Sequence, residues 1–197
     1  MVTEYTPDIY RTEGWFESLA YTDEWNRKAI MGAMAMFGIP SSFLDVGCGN
    51  GSVVAFMDYV MALEAYSPAL GIEIWNPEGF DHIVVHDLRE PLGLNALFEL
   101  VICWEVGEHL PEESADMLCQ TLADHTDGRL IFTAAHKGQG GDHHVNEQNR
   151  SYWIDKLTEH EFTLDEGETS RLKDIWKWTT GPCWWLPENV IVLHSMP

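Results

Sequence analysis

Residues 43–51 read Phe-Leu-Asp-Val-Gly-Cys-Gly-Asn-Gly. This stretch decides the fold, because a short apolar strand ends in an acid and then runs into glycines at alternate positions. Glycine permits positive φ and has no Cβ, so the backbone can turn sharply and let a ligand lie against it. A helix that begins after such a turn adds free N–H groups and the positive end of its dipole. The pattern predicts a turn that holds a cofactor.

Apolar runs alternate with segments of helical periodicity along the rest of the chain. Such alternation predicts a doubly wound α/β sheet whose ligands bind at the carboxyl ends of the strands. The predicted strands are 42–46, 69–74, 83–86, 98–104, 129–134, 162–164 and 190–193. The predicted helices are 23–37, 52–65, 112–125 and 149–160, and Gly128 is expected to stop the third of them.

Acidic side chains follow several of these strands at their carboxyl ends. Glu73 comes at the end of the second strand and Asp87 directly after the third. A carboxylate in the place of Glu73 can accept hydrogen bonds from both hydroxyls of a ribose, and one in the place of Asp87 can accept from an adenine amino group. The strand ends therefore indicate an adenosine-containing cofactor.

The Asp-x-Gly-x-Gly-x-Gly pattern of residues 45–51 resembles motif I of the class I S-adenosylmethionine (SAM) dependent methyltransferases. The alternative is the dinucleotide fingerprint Gly-x-Gly-x-x-Gly, but here the third glycine comes two residues after the second. The resemblance covers roughly residues 41–135 and implies a Rossmann-like, seven-stranded sheet, mostly parallel with an antiparallel final strand. It implies SAM contacts from Asp45, Gly47, Cys48, Gly49, Glu73, Ile74, Asp87, Leu88 and Trp104.

Residues 105–111, Glu-Val-Gly-Glu-His-Leu-Pro, form a second motif. It resembles the Glu-x-x-Glu-His of ubiquinone-biosynthesis O-methyltransferases and small-RNA 2′-O-methyltransferases, in which these residues and a later histidine hold a divalent ion. Carboxylates three residues apart lie on one side of a turn, and their hard oxygens suit Mg²⁺ or Mn²⁺. The alternative is a motif that pins the loop without metal. The ligands that the resemblance implies are Glu105, Glu108, His109 and His144, with His143 as an alternative to His144.

The segment after the fifth strand, residues 135–144, is rich in glycine and carries three histidines. Histidine can act as a base near neutral pH, so we expect His136 and His144, with Glu105, on the acceptor side. The alternative is that these histidines only hold the loop by hydrogen bonds. Late tryptophans offer a similar choice between a substrate platform and plain packing: Trp153, Trp176, Trp178, Trp184 and Trp185.

Composition narrows the function classes. With 11 basic and 32 acidic residues the formal net charge is −21, which disfavours nucleic acid as a partner. No apolar run is long enough to span a membrane, and the N-terminus lacks the features of a secretory signal. Four scattered cysteines without a Cys-x-x-Cys pair suit reduced thiols, so we expect a cytoplasmic protein.

We therefore predict a single methyltransferase domain over residues 1–197. Residues 1–40 would form an N-terminal helical cover, 41–135 the cofactor-binding core, and 136–197 the substrate-side loop, helix and final hairpin. The expected reaction moves a methyl group from SAM to a hydroxyl, in preference to an amine, of a small molecule or glycan. The open alternatives are a nucleic-acid or nucleotide methyltransferase, a non-catalytic SAM-binding module and, most distant, an NAD-linked oxidoreductase. The sequence leaves the oligomeric state open.

Overall fold

The computed structural model of the chain describes residues 5–77 and 79–196. The strands are β1 Phe43–Val46, β2 Leu70–Glu73, β3 Ile83–Val85, β4 Phe98–Trp104, β5 Thr126–Thr133, β6 Phe162–Leu164 and β7 Ile191–Ser195. The helices are α1 Glu13–Leu19, α2 Asp23–Phe37, α3 Ser52–Leu63, α4 Ala115–His125, α5 Arg150–Glu159, α6 Glu166–Thr179 and α7 Trp185–Asn189. Short 3₁₀ helices cover Pro7–Arg11, Gly107–His109 and Glu112–Ser114.

The strands form one seven-stranded sheet in the order β3-β2-β1-β4-β5-β7-β6. Strands β1 to β5 pair in parallel, whereas β7 lies antiparallel to both of its neighbours, β5 and β6. The fold predicted from the sequence is confirmed, including the antiparallel final strand. The order places β1 and β4 side by side at the middle of the sheet, where the crossovers change direction. A ligand is expected at this switch point.

Helices cover both faces of the sheet and divide the core into two clusters. Phe43 of β1 packs in the cluster beneath α2, α3 and α6, whereas Leu44 packs in the cluster beneath α4 and α5. All four side chains of β1 are buried, as expected for a central parallel strand. Burying one such large apolar side chain contributes roughly 1.5–3 kcal/mol. The sheet therefore gives the site at its carboxyl edge a rigid base.

One local prediction is wrong. Gly128 does not stop a helix; it lies inside β5, which begins at Thr126 directly after α4. A Cβ on Gly128 would come within 2.5 Å of the Glu99 carbonyl oxygen, so glycine is required where β5 approaches β4. The long segment between β6 and β7 contains α6 and α7, and Asp165 caps α6 by accepting from the Glu168 N–H at 2.7 Å.

Within residues 5–77 and 79–196, no helix is both long enough and apolar enough to cross a bilayer. The three-part division of the chain at residues 40 and 135 remains a prediction.

Candidate cofactor and acceptor site

A cavity of about 550 Å³ opens beside the carboxyl ends of β1 to β4. Its volume lies in the range typical of small-molecule and cofactor sites. The N-terminal segment and α7 contribute to its walls. It is lined by every residue predicted to contact the cofactor: Asp45, Gly47, Cys48, Gly49, Glu73, Ile74, Asp87, Leu88 and Trp104.

The glycine turn adopts a backbone that other residues rarely adopt. Gly47, Gly49 and Gly51 have φ values of 78°, 56° and 75°. A Cβ on Gly47 would collide with the Val106 side chain, and one on Gly49 would lie 2.9 Å from Leu19 Cδ1. The turn is therefore held close to both the β4 loop and the N-terminal segment, and α3 begins directly after it. These properties match the predicted cradle.

Glu73 and Asp45 form a buried acidic pair beneath the turn. The Glu73 carboxylate accepts hydrogen bonds from the N–H groups of Gly49 at 2.7 Å and Ile74 at 2.8 Å. Burial raises the pKa of Glu73 to about 7, although these two hydrogen bonds oppose the rise. Burial, and then the charge of Glu73, raise the pKa of Asp45 to about 8. Near neutral pH this pair can bind a proton or, instead, the hydroxyl donors of a ligand.

Asp87 already has a strong partner. The Arg89 guanidinium donates to both of its carboxylate oxygens, with Nη2 to Oδ2 at 2.6 Å, and the Arg89 N–H donates to Oδ1 at 3.0 Å. These hydrogen bonds with Arg89 hold the pKa of Asp87 below its usual range. The Tyr5 ring stacks on Arg89, 4.8 Å from its guanidinium carbon. The Asp87 carboxylate, which the sequence analysis expects to bind adenine, is thus already hydrogen-bonded to Arg89.

Glu105 is held in a strained conformation at the end of β4. Its φ is +54°, which is uncommon for a residue with a side chain and typical of functional sites. The backbone N–H of Glu105 donates to both the carbonyl and the hydroxyl oxygen of Thr133, each at 3.0 Å. The Nδ2 of Asn189, from α7, donates to the two carboxylate oxygens at 3.1 and 3.4 Å. The fold therefore fixes the Glu105 carboxylate at the cavity wall.

Glu108, His109 and His144 come together behind Glu105. Each offers one ligand atom, and the three atoms lie within 4.8 Å of one another. Burial, followed by the charge of Glu105, raises the pKa of Glu108 well above its usual range. Burial also lowers the pKa of His109 to about 3, so this imidazole is neutral near pH 7.

The cluster fits a divalent ion. Among the described residues, the geometry gives the buried carboxylate oxygens of Glu108 no hydrogen-bond partner, and a cation would satisfy both. The Glu147 carboxylate accepts from His144 Nδ1 at 2.9 Å, which orients the ring as an outer-shell partner would. The predicted fourth ligand, Glu105, is not among the three clustered ligand atoms; its carboxylate lies beside Glu108 and accepts from Asn189. Two imidazoles beside one carboxylate suit Mn²⁺ better than Mg²⁺.

His136 lies apart from the other predicted acceptor-side residues. It is exposed and lines a second cavity of about 50 Å³ instead of the large one. Its backbone N–H donates to the Gln139 amide oxygen at 3.3 Å. His136 lies outside the large cavity, whereas the loop lines that cavity from Gln139 onward and includes His144. We therefore leave His136 out of the proposed acceptor side.

The N-terminal segment contributes residues that the sequence analysis missed. Tyr10 is buried, and its hydroxyl lies 3.3 Å from His109 Nδ1 and donates to the His143 carbonyl oxygen at 3.4 Å. The Trp15 ring packs edge-on against Tyr10 at 5.0 Å and against His109 at 5.5 Å. No motif marks either residue, because their neighbours in the fold lie about a hundred positions away in sequence. The only signal in the sequence is that Tyr10 and Trp15 are aromatic residues close together near the N-terminus.

The late tryptophans divide between packing and the cavity. Trp176 is completely buried, and its Nε1 donates to the Ala29 carbonyl oxygen at 2.9 Å. Trp178 is 90% exposed on α6 and does not line the cavity. Trp184 and Trp185 do line it, with ring centroids 6.1 Å apart and planes at 83°.

Comparison with known proteins agrees with this architecture. A family model described as a methyltransferase domain matches residues 13–169. No curated protein sequence matches the chain significantly.

Three solved structures illustrate the shared fold. Magnesium protoporphyrin IX methyltransferase (ChlM) from Synechocystis PCC 6803, with bound S-adenosylhomocysteine (SAH), is 18% identical over 88% of this chain and 84% of that chain, with a TM-score of 0.60. The sugar N-methyltransferase KedS8 from Streptoalloteichus is 14% identical over 100% of this chain and 94% of its own, with a TM-score of 0.60. N-methyltransferase NodS from Bradyrhizobium japonicum, in complex with SAH, is 18% identical over 89% and 88%, with a TM-score of 0.56.

The family match covers most of the chain, and the structural neighbours share its sheet over nearly their whole length. The family, the enzyme class and the cofactor SAM predicted from residues 45–51 are confirmed. The chain belongs to the class I SAM-dependent methyltransferases.

Proposed function

We propose that this methyltransferase acts on a hydroxyl or amine of a small molecule or glycan. The observation that carries the proposal is the division of one cavity into two halves. Its cofactor half is formed by the glycine turn with Asp45, Glu73 and Asp87. Its acceptor half is formed by the ends of β4 and β5, the N-terminal segment and α7. A volume of about 550 Å³ suits SAM and a compact acceptor.

When bound, SAM supplies an electrophilic methyl carbon on a sulfonium, and SAH is the leaving group. Most of the rate must come from holding the acceptor nucleophile in line with that carbon. Glu105 is suited to orient the acceptor, because Asn189 and the Thr133 bonds fix its carboxylate in the cavity wall. In the metal-free site His144, oriented by Glu147, is suited to accept a proton from a weakly acidic nucleophile; when a divalent ion is bound, His144 would serve as a ligand instead.

The relatives support a small acceptor. Their names describe enzymes that act on a porphyrin and on a sugar, and both kinds of substrate are compact. The net charge of −21 argues against a nucleic-acid acceptor, whose phosphates would be repelled. We also retain a cytoplasmic location as part of the proposal.

The test is SAH release from SAM across a panel of hydroxyl and amine acceptors. We expect turnover with at least one small acceptor, and loss of about 100-fold in kcat in Glu105→Gln with SAH affinity unchanged. Binding of SAH without turnover on every acceptor would instead favour the non-catalytic module. Turnover that is unaffected by Glu105→Gln would remove this residue from the acceptor side.

A divalent ion is a second part of the proposal. Glu108, His109 and His144 would hold it, and it would supply a positive centre that binds a hydroxyl of the acceptor. We expect MnCl₂ to raise the melting temperature of the wild-type protein, since a ligand that binds only the folded state stabilises it. Glu108→Gln should abolish this rise, whereas Glu113→Gln, an exposed neighbour outside the cluster, should keep it. Equal shifts in both variants would contradict the metal site.

A further inference from the structure

The acceptor half of the cavity is acidic. Glu105 and Asp142 both line it. Across residues 5–77 and 79–196, the structure brings no lysine or arginine side chain into the cavity wall. An anion placed there would meet like charges and no paired cation, which is costly in a partly dehydrated site.

Two basic residues close to the site do not face its acceptor half. Arg89 is bound to Asp87 and stacked on Tyr5, so its charge is already matched. Lys137 is exposed in the loop after β5 and does not line the cavity. The wider field has the same sign, because the whole chain carries a formal charge of −21. Such a field raises the local concentration of cations and lowers that of anions.

Aromatic rings form the other walls of the acceptor half. Trp184 and Trp185 meet at 83°, so they form a corner, and Trp15 lies on the N-terminal side. The faces of indole rings attract organic cations, and the attraction grows when the cation is shielded from water. Carboxylates beside aromatic faces are the combination that recognises an ammonium group on an apolar body.

We infer that the acceptor is an organic amine that binds as its ammonium cation, and that phosphorylated or carboxylated acceptors are rejected. This inference rests on the proposed function and narrows it. It also reverses the preference for a hydroxyl that the sequence suggested. The carboxylates offset the repulsion that would otherwise arise between an ammonium group and the sulfonium of SAM.

The methyl transfer then balances as follows. The bound ammonium group loses one proton to solvent through the cavity mouth, which exposes the nitrogen lone pair. An N–C bond forms to the methyl carbon, and the C–S bond breaks with its electron pair going to sulfur. The products are a methylated ammonium ion and neutral SAH, so the positive charge moves from sulfur to nitrogen.

The experiment measures binding to the SAH-loaded protein by calorimetry. The probes are matched sets on phenyl, indolyl and naphthyl rings, each with a side chain that ends in an amine, an alcohol or a carboxylate. We expect the amine to bind about tenfold more tightly than the carboxylate on at least one ring, with the alcohol between them. The same order is expected in EDTA and with added Mn²⁺, because Glu105 and Asp142 lie outside the candidate metal cluster.

Two variants assign the preference to the cavity. Asp142→Asn should reduce the ratio of amine to carboxylate affinity about threefold, whereas Asp155→Asn, on the exposed side of α5, should leave it unchanged. A carboxylate that binds as tightly as the amine, or amines that fail to bind on all rings, would overturn the inference. Failure of SAH itself to bind would instead overturn the proposed function on which the inference rests.

Discussion

The two halves of the cavity are built in different ways. The cofactor half comes mainly from three successive strand ends, where the glycine turn follows β1, Glu73 ends β2 and Asp87 follows β3. The acceptor half is assembled from the N-terminal segment, the β4 loop, the loop after β5 and α7. The positions of the cofactor-binding residues therefore follow from local chain geometry, whereas those of the acceptor-side residues depend on contacts between distant segments.

Backbone hydrogen bonds explain the rigidity of the cofactor half. The N–H groups of Gly47 and Cys48 both donate to the Ile72 carbonyl oxygen, at 2.9 and 3.0 Å. Cys48 also packs into space that a side chain at Gly71 would occupy, with its Sγ 2.7 Å from the Cβ position. By contrast, Glu105 depends on Asn189, which lies 84 residues away. Contacts between side chains that lie so far apart in sequence can change without altering the sheet.

The largest effect is expected from Gly47→Ala, which attacks the cofactor half. Alanine at φ +78° is strained, and its Cβ would collide with Val106. Because the strain costs roughly 1–2 kcal/mol and the collision displaces the turn, SAH affinity should fall about 100-fold. Calorimetric titration of SAH measures the change.

The matched control for this variant is Gly93→Ala. Gly93 has no positive φ, and a Cβ there would meet nothing within 4 Å. SAH affinity should therefore stay within twofold of the wild type. If Gly47→Ala binds SAH as tightly as Gly93→Ala, the glycine turn is not the cofactor cradle, and the contrast between the two halves collapses.

The sequence predicts the cofactor half well for a physical reason. Glycine spacing and acids at strand ends are local patterns, and the parallel sheet brings strand ends together without any further information. Asp45, Glu73 and Asp87 therefore line the cavity as expected. The sequence pattern does not predict the hydrogen bonds from Arg89 to Asp87, because the side chain of a residue two positions away in a loop has no fixed orientation.

The acceptor half resists prediction because its residues act through tertiary contacts. His136 and His144 are equally plausible in sequence, yet only the turn geometry of the loop decides which one reaches the cavity. Tyr10 and Trp15 belong to no recognisable motif. Trp178 lies on α6 and points outside the cavity, whereas Trp184 lies after the end of α6 and lines it, and the sequence does not distinguish the two. Patterns of period two or 3.6 specify elements, but not which exposed side chains face one another.

The next largest effect concerns the acidic pair and the pH dependence of stability. In the folded protein the pKa of Asp45 is about 8 and that of Glu73 about 7, both above the values of unfolded chains. Between pH 7 and 8 the folded state binds more protons than the unfolded state, so stability falls as pH rises. We expect a loss of about 1 kcal/mol over this interval, measured by urea unfolding of the cofactor-free protein.

Among the other shifted groups, Glu108 also has a raised pKa and changes the stability in the same direction, so the contribution of the acidic pair is measured as the difference between the wild type and Asp45→Asn. Asp87 and Glu168 have lowered pKa values, so their stabilising contribution is complete well below pH 7. His109, whose pKa is lowered to about 3, changes the stability only below the ordinary histidine pKa. Asp45→Asn should reduce the slope between pH 7 and 8 by roughly half, because Glu73 still titrates in the variant. A slope that is unchanged in Asp45→Asn would mean that the pair does not titrate as its burial implies.

The smallest effect is expected in the acceptor half, from two exposed tryptophans that form a matched pair. Trp184 is 53% exposed and lines the cavity, whereas Trp178 is 90% exposed and lies outside it. Trp184→Ala should raise the KM for the acceptor about fivefold, because one aromatic wall contributes roughly 1 kcal/mol, and should leave SAH affinity unchanged. Trp178→Ala should change neither value, since its ring touches no part of the site.

Steady-state kinetics with the acceptor identified by the panel, together with SAH titration, separates the two variants. If KM rises in both variants, the weaker acceptor binding does not come from the loss of one cavity wall. If Trp184→Ala weakens SAH binding as much as acceptor binding, the two halves of the cavity are energetically coupled.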